Sequence, residues 1–204
     1  MPDTTTLAMF AAASLALLIV PGPTLMYIVA RGIQQGRGAA LVSALGVELG
    51  TLLHLLVAVI GLSTLLASSE RAFMLLKWLG AAYLLWLAVA AIQEQSTEAS
   101  AADQAARMRS VFVQGVLVEA LNPGTAFFFL AFLPQFADSS GGSWQFLLFG
   151  LIFVVLALCN DALFALLAGS LGARLRASRR FLCLRGTLCG CVYCWLAAFA
   201  VFSS

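Results

Sequence analysis

Val20-Pro21-Gly22-Pro23-Thr24 and, half a chain length later, Asn122-Pro123-Gly124-Thr125 are the two stretches that decide how this sequence folds. Each sets proline and glycine inside a long apolar run. Proline removes a backbone donor and clashes with the preceding turn, so a helix passing through either stretch must break or kink. In hydrocarbon, a backbone group freed in this way is costly unless something else satisfies it, so broken helices are tolerated where they line a cavity or pack against protein. Four of the five prolines (Pro21, Pro23, Pro123 and Pro134) fall in these two segments. The half-helix that restarts after each break would aim free N–H groups and a positive dipole end at the membrane interior, where a substrate carboxylate would fit. Two ordinary proline kinks would leave a similar trace. The matched placement favours a functional pair.

The sequence around the breaks reads as a membrane protein. Of 204 residues, 62% are hydrophobic and 10% charged, with a mean hydropathy of +1.01. A soluble domain carries roughly 25% charged residues, which leaves no ordinary hydrated surface here. The net charge of +2, with no basic stretch interleaved with aromatics, argues against nucleic acid as a partner. A span needs about 20 apolar residues, and runs of that kind lie near 7–29, 39–66, 72–92, 111–136, 144–169 and 181–202. They are continuously apolar rather than alternating, which argues against an outer-membrane barrel. Met1-Pro2-Asp3-Thr4-Thr5-Thr6 lacks a positive leader region, so no cleavable signal is expected.

Basic residues set the orientation. Arg31 and Arg37 follow the first run, Arg107 and Arg109 the third, and Arg174, Arg176, Arg179, Arg180 and Arg185 the fifth. Arg71 and Lys77 alone fall on the other side. The arginine-rich side is expected to be cytoplasmic, with both termini outside. The polar stretch 93–110 reads as a cytoplasmic loop between a first repeat of about 7–92 and a second of about 111–202. With three spans in each half, the second inserts upside down relative to the first. The expected architecture is an all-α membrane protein with one transmembrane domain over 1–204. It has six transmembrane helices as two inverted three-helix repeats, with helices 1 and 4 broken.

Three carboxylates, Glu48, Glu119 and Asp161, fall well inside the spans. An ionised carboxylate at the centre of a helix in lipid costs about 2.5–3.5 kcal/mol on insertion scales, so each needs a cavity, a partner or a proton. Glu119 precedes Asn122 and Pro123 by about one turn, which makes it the first choice for coupling or amine recognition. Glu48 lies on the far side of its helix from Ser43, Gly46, Gly50 and His54, a small-residue face suited to close packing. It would then face a cavity. A carboxyl that merely hydrogen-bonds a neighbouring helix is the competing reading for each. The lone histidine, His54, is no metal site, and a bond between helices is its expected role. Phe127-Phe128-Phe129 is expected mainly to fill space, and Trp78, Tyr83, Trp86, Trp144 and Trp195 partly to form interfacial belts.

Taken together, Pro21-Gly22-Pro23, Gly36-Arg37-Gly38-Ala39-Ala40, Gly46-Val47-Glu48-Leu49-Gly50 with His54, Gly80-Ala81-Ala82-Tyr83-Leu84, Asn122-Pro123-Gly124-Thr125-Ala126-Phe127-Phe128-Phe129 and Phe132-Leu133-Pro134-Gln135-Phe136 resemble the lysine exporter (LysE/RhtB) family of amino acid efflux proteins. The resemblance is strongest over 15–136. It implies export of amino acids or their derivatives across the bacterial or archaeal cytoplasmic (inner) membrane, driven by the proton motive force. One departure is visible: many members carry Lys after the Asn-Pro, where this chain has Gly124. The expected substrate-binding or coupling residues are Pro21, Gly22, Pro23, Glu48, Glu119, Asn122, Pro123 and Asp161.

Rival readings remain open. Cys183, Cys189, Cys191 and Cys194 cluster in the last run, where Cys191-Val192-Tyr193-Cys194 could be redox-active or bind a soft metal. Cys183 and Cys194 also share a face with Gly186 and Gly190, where small residues serve packing. A non-transporting accessory subunit is the other alternative. No hydrolytic triad, phosphate loop or zinc spacing points to an enzyme or a cofactor. The expected partners are the amino acid substrate, protons and the lipid bilayer. The sequence leaves a homo-oligomer open.

Overall fold

Asp3 starts the first helix, α1 (Thr4–Ile19), by accepting the Thr6 amide at 2.7 Å. The Thr6 hydroxyl and amide hold the Asp3 carboxyl below its usual range. At Val20 the backbone turns extended and α1 ends. Pro23 then opens α2 (Pro23–Gln35) in its first turn, where a missing N–H leaves nothing unmade. The two axes differ by 55°. The first expected span is therefore a bent pair running on to Gln35. The computed structural model describes residues 2–20, 22–60, 70–93, 101–136, 142–175, 187, 191–195 and 198, so Pro21 itself lies outside the described residues.

Gly36 ends α2 and starts α3 (Arg37–Val59) within a single residue. Its φ of 97° is the one positive value among the described residues, and with ψ of −178° it occupies a region open essentially to glycine alone. After α4 (Glu70–Gln93) comes α5 (Ala101–Ala120). Residues 101–110 are thus helical, which corrects the expectation of a loop over 93–110. Hydropathy marks where the hydrocarbon ends, whereas Ala, Gln, Arg and Met favour helix wherever they lie.

The second break follows Ala120. Asn122 is extended and caps α6 (Pro123–Phe127), its side-chain oxygen accepting the Gly124 amide at 3.0 Å. The chain continues through a wide π-helical turn (Phe128–Phe132), closed by the Leu133 amide on the Phe128 carbonyl, and a tight 3-10 turn (Leu133–Gln135). Pro134 lacks the N–H that an α-helical turn would need there. The expected fourth span is therefore a sequence of helical pieces. α7 (Gly142–Leu175) extends the fifth expected span at both ends. Of the sixth, residues 191–195 are helical. Cys183, Gly186, Cys189 and Gly190 lie outside the described residues.

Regular structure among the described residues is entirely helical. α3 and Trp144–Arg174 of α7 are each long and apolar enough to cross a membrane, as is the bent α1–α2 pair if it forms one span. Leu45, Leu49, Leu53 and Leu56 on α3 and Leu163, Leu167 and Leu171 on α7 remain exposed in rows. A contiguous apolar exterior of this kind suits lipid rather than water.

α3 lies between α5 and α7. On the α5 side the helices approach through glycine: a Cβ on Gly50 would stand 2.6 Å from the Glu119 Cβ, and one on Gly115 2.6 Å from the Ser43 carbonyl oxygen. The expected small-residue face of α3 is therefore its contact with α5. Two apolar cores result. One gathers Tyr27, Ile28, Val47, Leu84, Leu87 and Tyr193. The other gathers Phe10, Leu55, Phe128, Phe129, Phe149 and Phe153.

Candidate functional site

A cavity of about 320 Å³ takes in residues of both cores, with Val47 from the first and Phe128 and Phe153 from the second. The end of α1 (Leu17, Leu18, Val20) and the start of α2 (Gly22, Pro23, Thr24, Leu25) form one wall. Glu48 and Thr51 of α3, Glu119 of α5, Asn122, Gly124 and Thr125 at the second break, and Ala157 and Asp161 of α7 form the rest. The two helix breaks thus meet at one chamber.

Glu119 ties the chamber together. Its carboxylate accepts the Thr24 hydroxyl at 2.5 Å, the Asn122 amide at 3.3 Å and the Thr51 hydroxyl at 3.4 Å. These partners come from α2, the second break and α3. Its backbone carbonyl lies 2.8 Å from His54 Nε2, so His54 joins α3 to the end of α5. Asn122 is the second junction. Its amide nitrogen also donates to Thr24 Oγ1 at 2.9 Å and Thr125 Oγ1 at 3.1 Å, while its oxygen holds the Gly124 amide. One asparagine therefore caps α6 and grips the start of α2. The α2 start itself has no side-chain cap.

Asp161 accepts from Asn160 at 3.3 Å, and the same Asn160 amide reaches the Leu18 carbonyl at the end of α1. One of the last carbonyls of α1 is satisfied in this way. Glu48, Glu119 and Asp161 are 5%, 3% and 5% exposed. Among the described residues, no lysine or arginine lines the chamber. Arg31, further along α2, donates to Gln114 of α5 and stands 5.4 Å from the Tyr27 ring centroid. The chamber is acidic, rich in hydroxyl and amide groups, and roofed by stacked rings, with the Phe128 and Phe153 centroids 4.0 Å apart.

Gly22, Pro23, Glu48, Glu119, Asn122 and Asp161 all line this cavity. Pro123 does not; it faces a small space of about 10 Å³ beside Tyr83, behind Pro23 and Asn122. Cys191 and Cys194 are free and exposed. Thr24, Thr51 and Thr125 were not singled out from the sequence. Thr24 stands directly after Pro23 and Thr51 three residues after Glu48, on the same face, a spacing that could have marked them. The Phe128–Phe153 roof joins residues distant in the chain and left no such sign.

The chain compares with known proteins as follows. Residues 15–204 match the family described as LysE type translocator. The chain is 28% identical to a leucine efflux protein of Klebsiella pneumoniae, covering 89% of this chain and 88% of that protein. It is 29% identical to a homoserine/homoserine lactone efflux protein of Salmonella typhimurium, over 82% of each. It is 31% identical to an uncharacterized membrane protein of Vibrio cholerae, over 78% of each. No solved structure matches the chain. With nearly its whole length matched, the chain belongs to the LysE family of translocators.

Proposed function

We propose that this chain exports amino acids or their derivatives across the cytoplasmic membrane as a secondary transporter driven by the proton motive force. The observation that carries this reading is the buried acidic chamber where two helix breaks meet. Substrate sites between discontinuous helices near the membrane middle are the working geometry of inverted-repeat transporters. Family membership and the leucine and homoserine efflux relatives support amino acids as the solute class. The full arrangement is six spans in one domain, with repeats of about 7–92 and 111–202 and both termini outside. The two halves rock about the chamber to give alternating access. Gly22, Pro23 and Asn122 line the chamber, Pro21 and Pro123 belong by sequence to the two breaks, and Glu48, Glu119 and Asp161 supply its charge and proton-exchanging groups.

The test is flux in proteoliposomes holding this chain alone, loaded with a panel of amino acids under an imposed proton gradient. Gradient-dependent exit of at least one amino acid is expected. A complete absence of flux across the panel would refute the reading and favour an accessory role. Unchanged export after replacing Cys183, Cys189, Cys191 and Cys194 with Ala would remove the cysteines from the mechanism.

A further inference from the structure

The three acids of the chamber are not equivalent. Glu119 accepts three side-chain donors, and Asp161 accepts one. Glu48 is 5% exposed, both of its oxygens are buried, and neither meets a hydrogen-bond partner among the described residues. Yet it lines the cavity. A buried carboxyl with no donor is unfavourable compared with one in water, and a buried carboxylate with no counter-charge is more so. Among the described residues the chamber brings neither to Glu48: no lysine or arginine lines it, and Thr51, one turn along from Glu48, donates instead to the Val47 carbonyl at 3.3 Å and Glu119 at 3.4 Å. With no described group donating to it, Glu48 is open to a donor that the ligand brings. A protonated amine brings a positive charge and N–H donors together.

The second end of the ligand has a place on another wall of the same chamber. The start of α2 is uncapped by any side chain, unlike that of α6, where Asn122 already occupies the Gly124 amide. The first amides of a thirteen-residue helix attract a carboxylate through their free N–H groups and dipole end.

We infer that Glu48 is the ligand for the substrate's ammonium group and that the carboxylate end seats at the start of α2, so that the chamber takes zwitterionic amino acids and refuses N-acylated ones. Glu119, already bonded to three donors, then also binds α2, α3 and the second break into one frame. This inference rests on the transport reading above and adds the chemistry of recognition to it.

The experiment uses proteoliposomes of the full chain, with each amino acid the wild type moves and its N-acetyl form. The wild type is expected to export the free amino acid and leave the N-acetyl form behind. Glu48→Gln keeps the shape and removes the charge. It should raise the half-saturating concentration about ten- to a hundred-fold, the range for a hydrogen bond to a charged group. A second readout is thermal unfolding in detergent. Because Glu48 has no partner to lose, Glu48→Gln should keep or raise Tm, and the Tm increase that the amino acid gives the wild type should disappear. Unchanged half-saturation in Glu48→Gln, equal transport of the N-acetyl form, or a Tm fall with affinity intact would each overturn the inference while leaving the transport reading standing. No flux of any amino acid by the wild type would overturn both.

Discussion

Gly50→Ala adds one methyl group at the point where α3 and α5 meet. The new Cβ would stand 2.6 Å from the Glu119 Cβ and 3.0 Å from both its Cγ and the Val116 carbonyl oxygen. Carbon atoms pack at about 3.5–4.0 Å, so the helices must separate by about 1 Å or Glu119 must rotate. Either movement strains the bonds of Glu119 to Thr24, Thr51 and Asn122 and of its carbonyl to His54. Overpacking costs about 1–3 kcal/mol, and loss of one such hydrogen bond adds about 1 kcal/mol. Better helix propensity returns about 1 kcal/mol. The net expectation is a loss of about 1–3 kcal/mol, together with reduced export. Gly38→Ala is the internal control on the same helix: nothing lies within 4 Å of its added Cβ. Only the propensity gain acts there, so stability should hold or rise by up to about 1 kcal/mol. Thermal unfolding in detergent, paired with efflux from proteoliposomes, reads both variants. If Gly50→Ala matches Gly38→Ala in stability and exports at the wild-type rate, the close-packing argument for Glu119 is wrong.

Neutralising Glu119 or Asp161, as Gln and Asn, should abolish export while leaving the protein in the membrane. Flux normalised to membrane-inserted protein checks this, and wild-type rates in the double variant would sink the assignment. Gly36→Ala forces a Cβ into a backbone region that side chains avoid and should cost about 1–3 kcal/mol, visible as a lower Tm. Asn122→Ala removes the α6 cap, worth about 0.5–2 kcal/mol, and releases Thr24. It should lower Tm and slow export together, and a change in Tm alone would deny Asn122 a part in joining the two breaks.

The breaks were legible because proline and glycine act locally: Pro23 and Pro123 each sit in the first turn of a restarting helix. The geometry of α3 was legible too, since helical periodicity alone puts Gly46 and Gly50 opposite Glu48. The start of α5 was misread because polarity reports the surrounding solvent, while Ala101–Ser110 has the composition of a helix. The roles within the chamber were hidden for a different reason. Glu119 looked like the prime ligand from its nearness to Asn122, but its oxygens are taken by Thr51 and Thr24, 68 and 95 residues away in the chain. Nothing local to Glu119 reports those contacts. The same holds for Glu48, whose distinction is that no donor among the described residues reaches it.

The way the breaks are joined bears on how the chamber could change shape. A hydrophobic contact between the two breaks would bury area continuously and resist separation in proportion to that area. Here the connection runs instead through Thr24, Asn122 and Glu119, whose mutual bonds are side-chain hydrogen bonds at 2.5 to 3.3 Å. Each is worth about 1 kcal/mol net when its groups find other partners, and more only if they are left buried and unmade. Hydroxyls and a carboxamide can each donate and accept, so the trio can exchange one another for a ligand or for water without leaving an orphan. An apolar core on either side of the chamber then keeps the helices packed while its polar middle rearranges. Substituting Thr24 with Val keeps the volume and removes the exchangeable donor, so it separates the two ideas. If the trio is a remakeable joint, Thr24→Val should alter export more than stability. If it is a fixed strut, the loss should appear first in Tm.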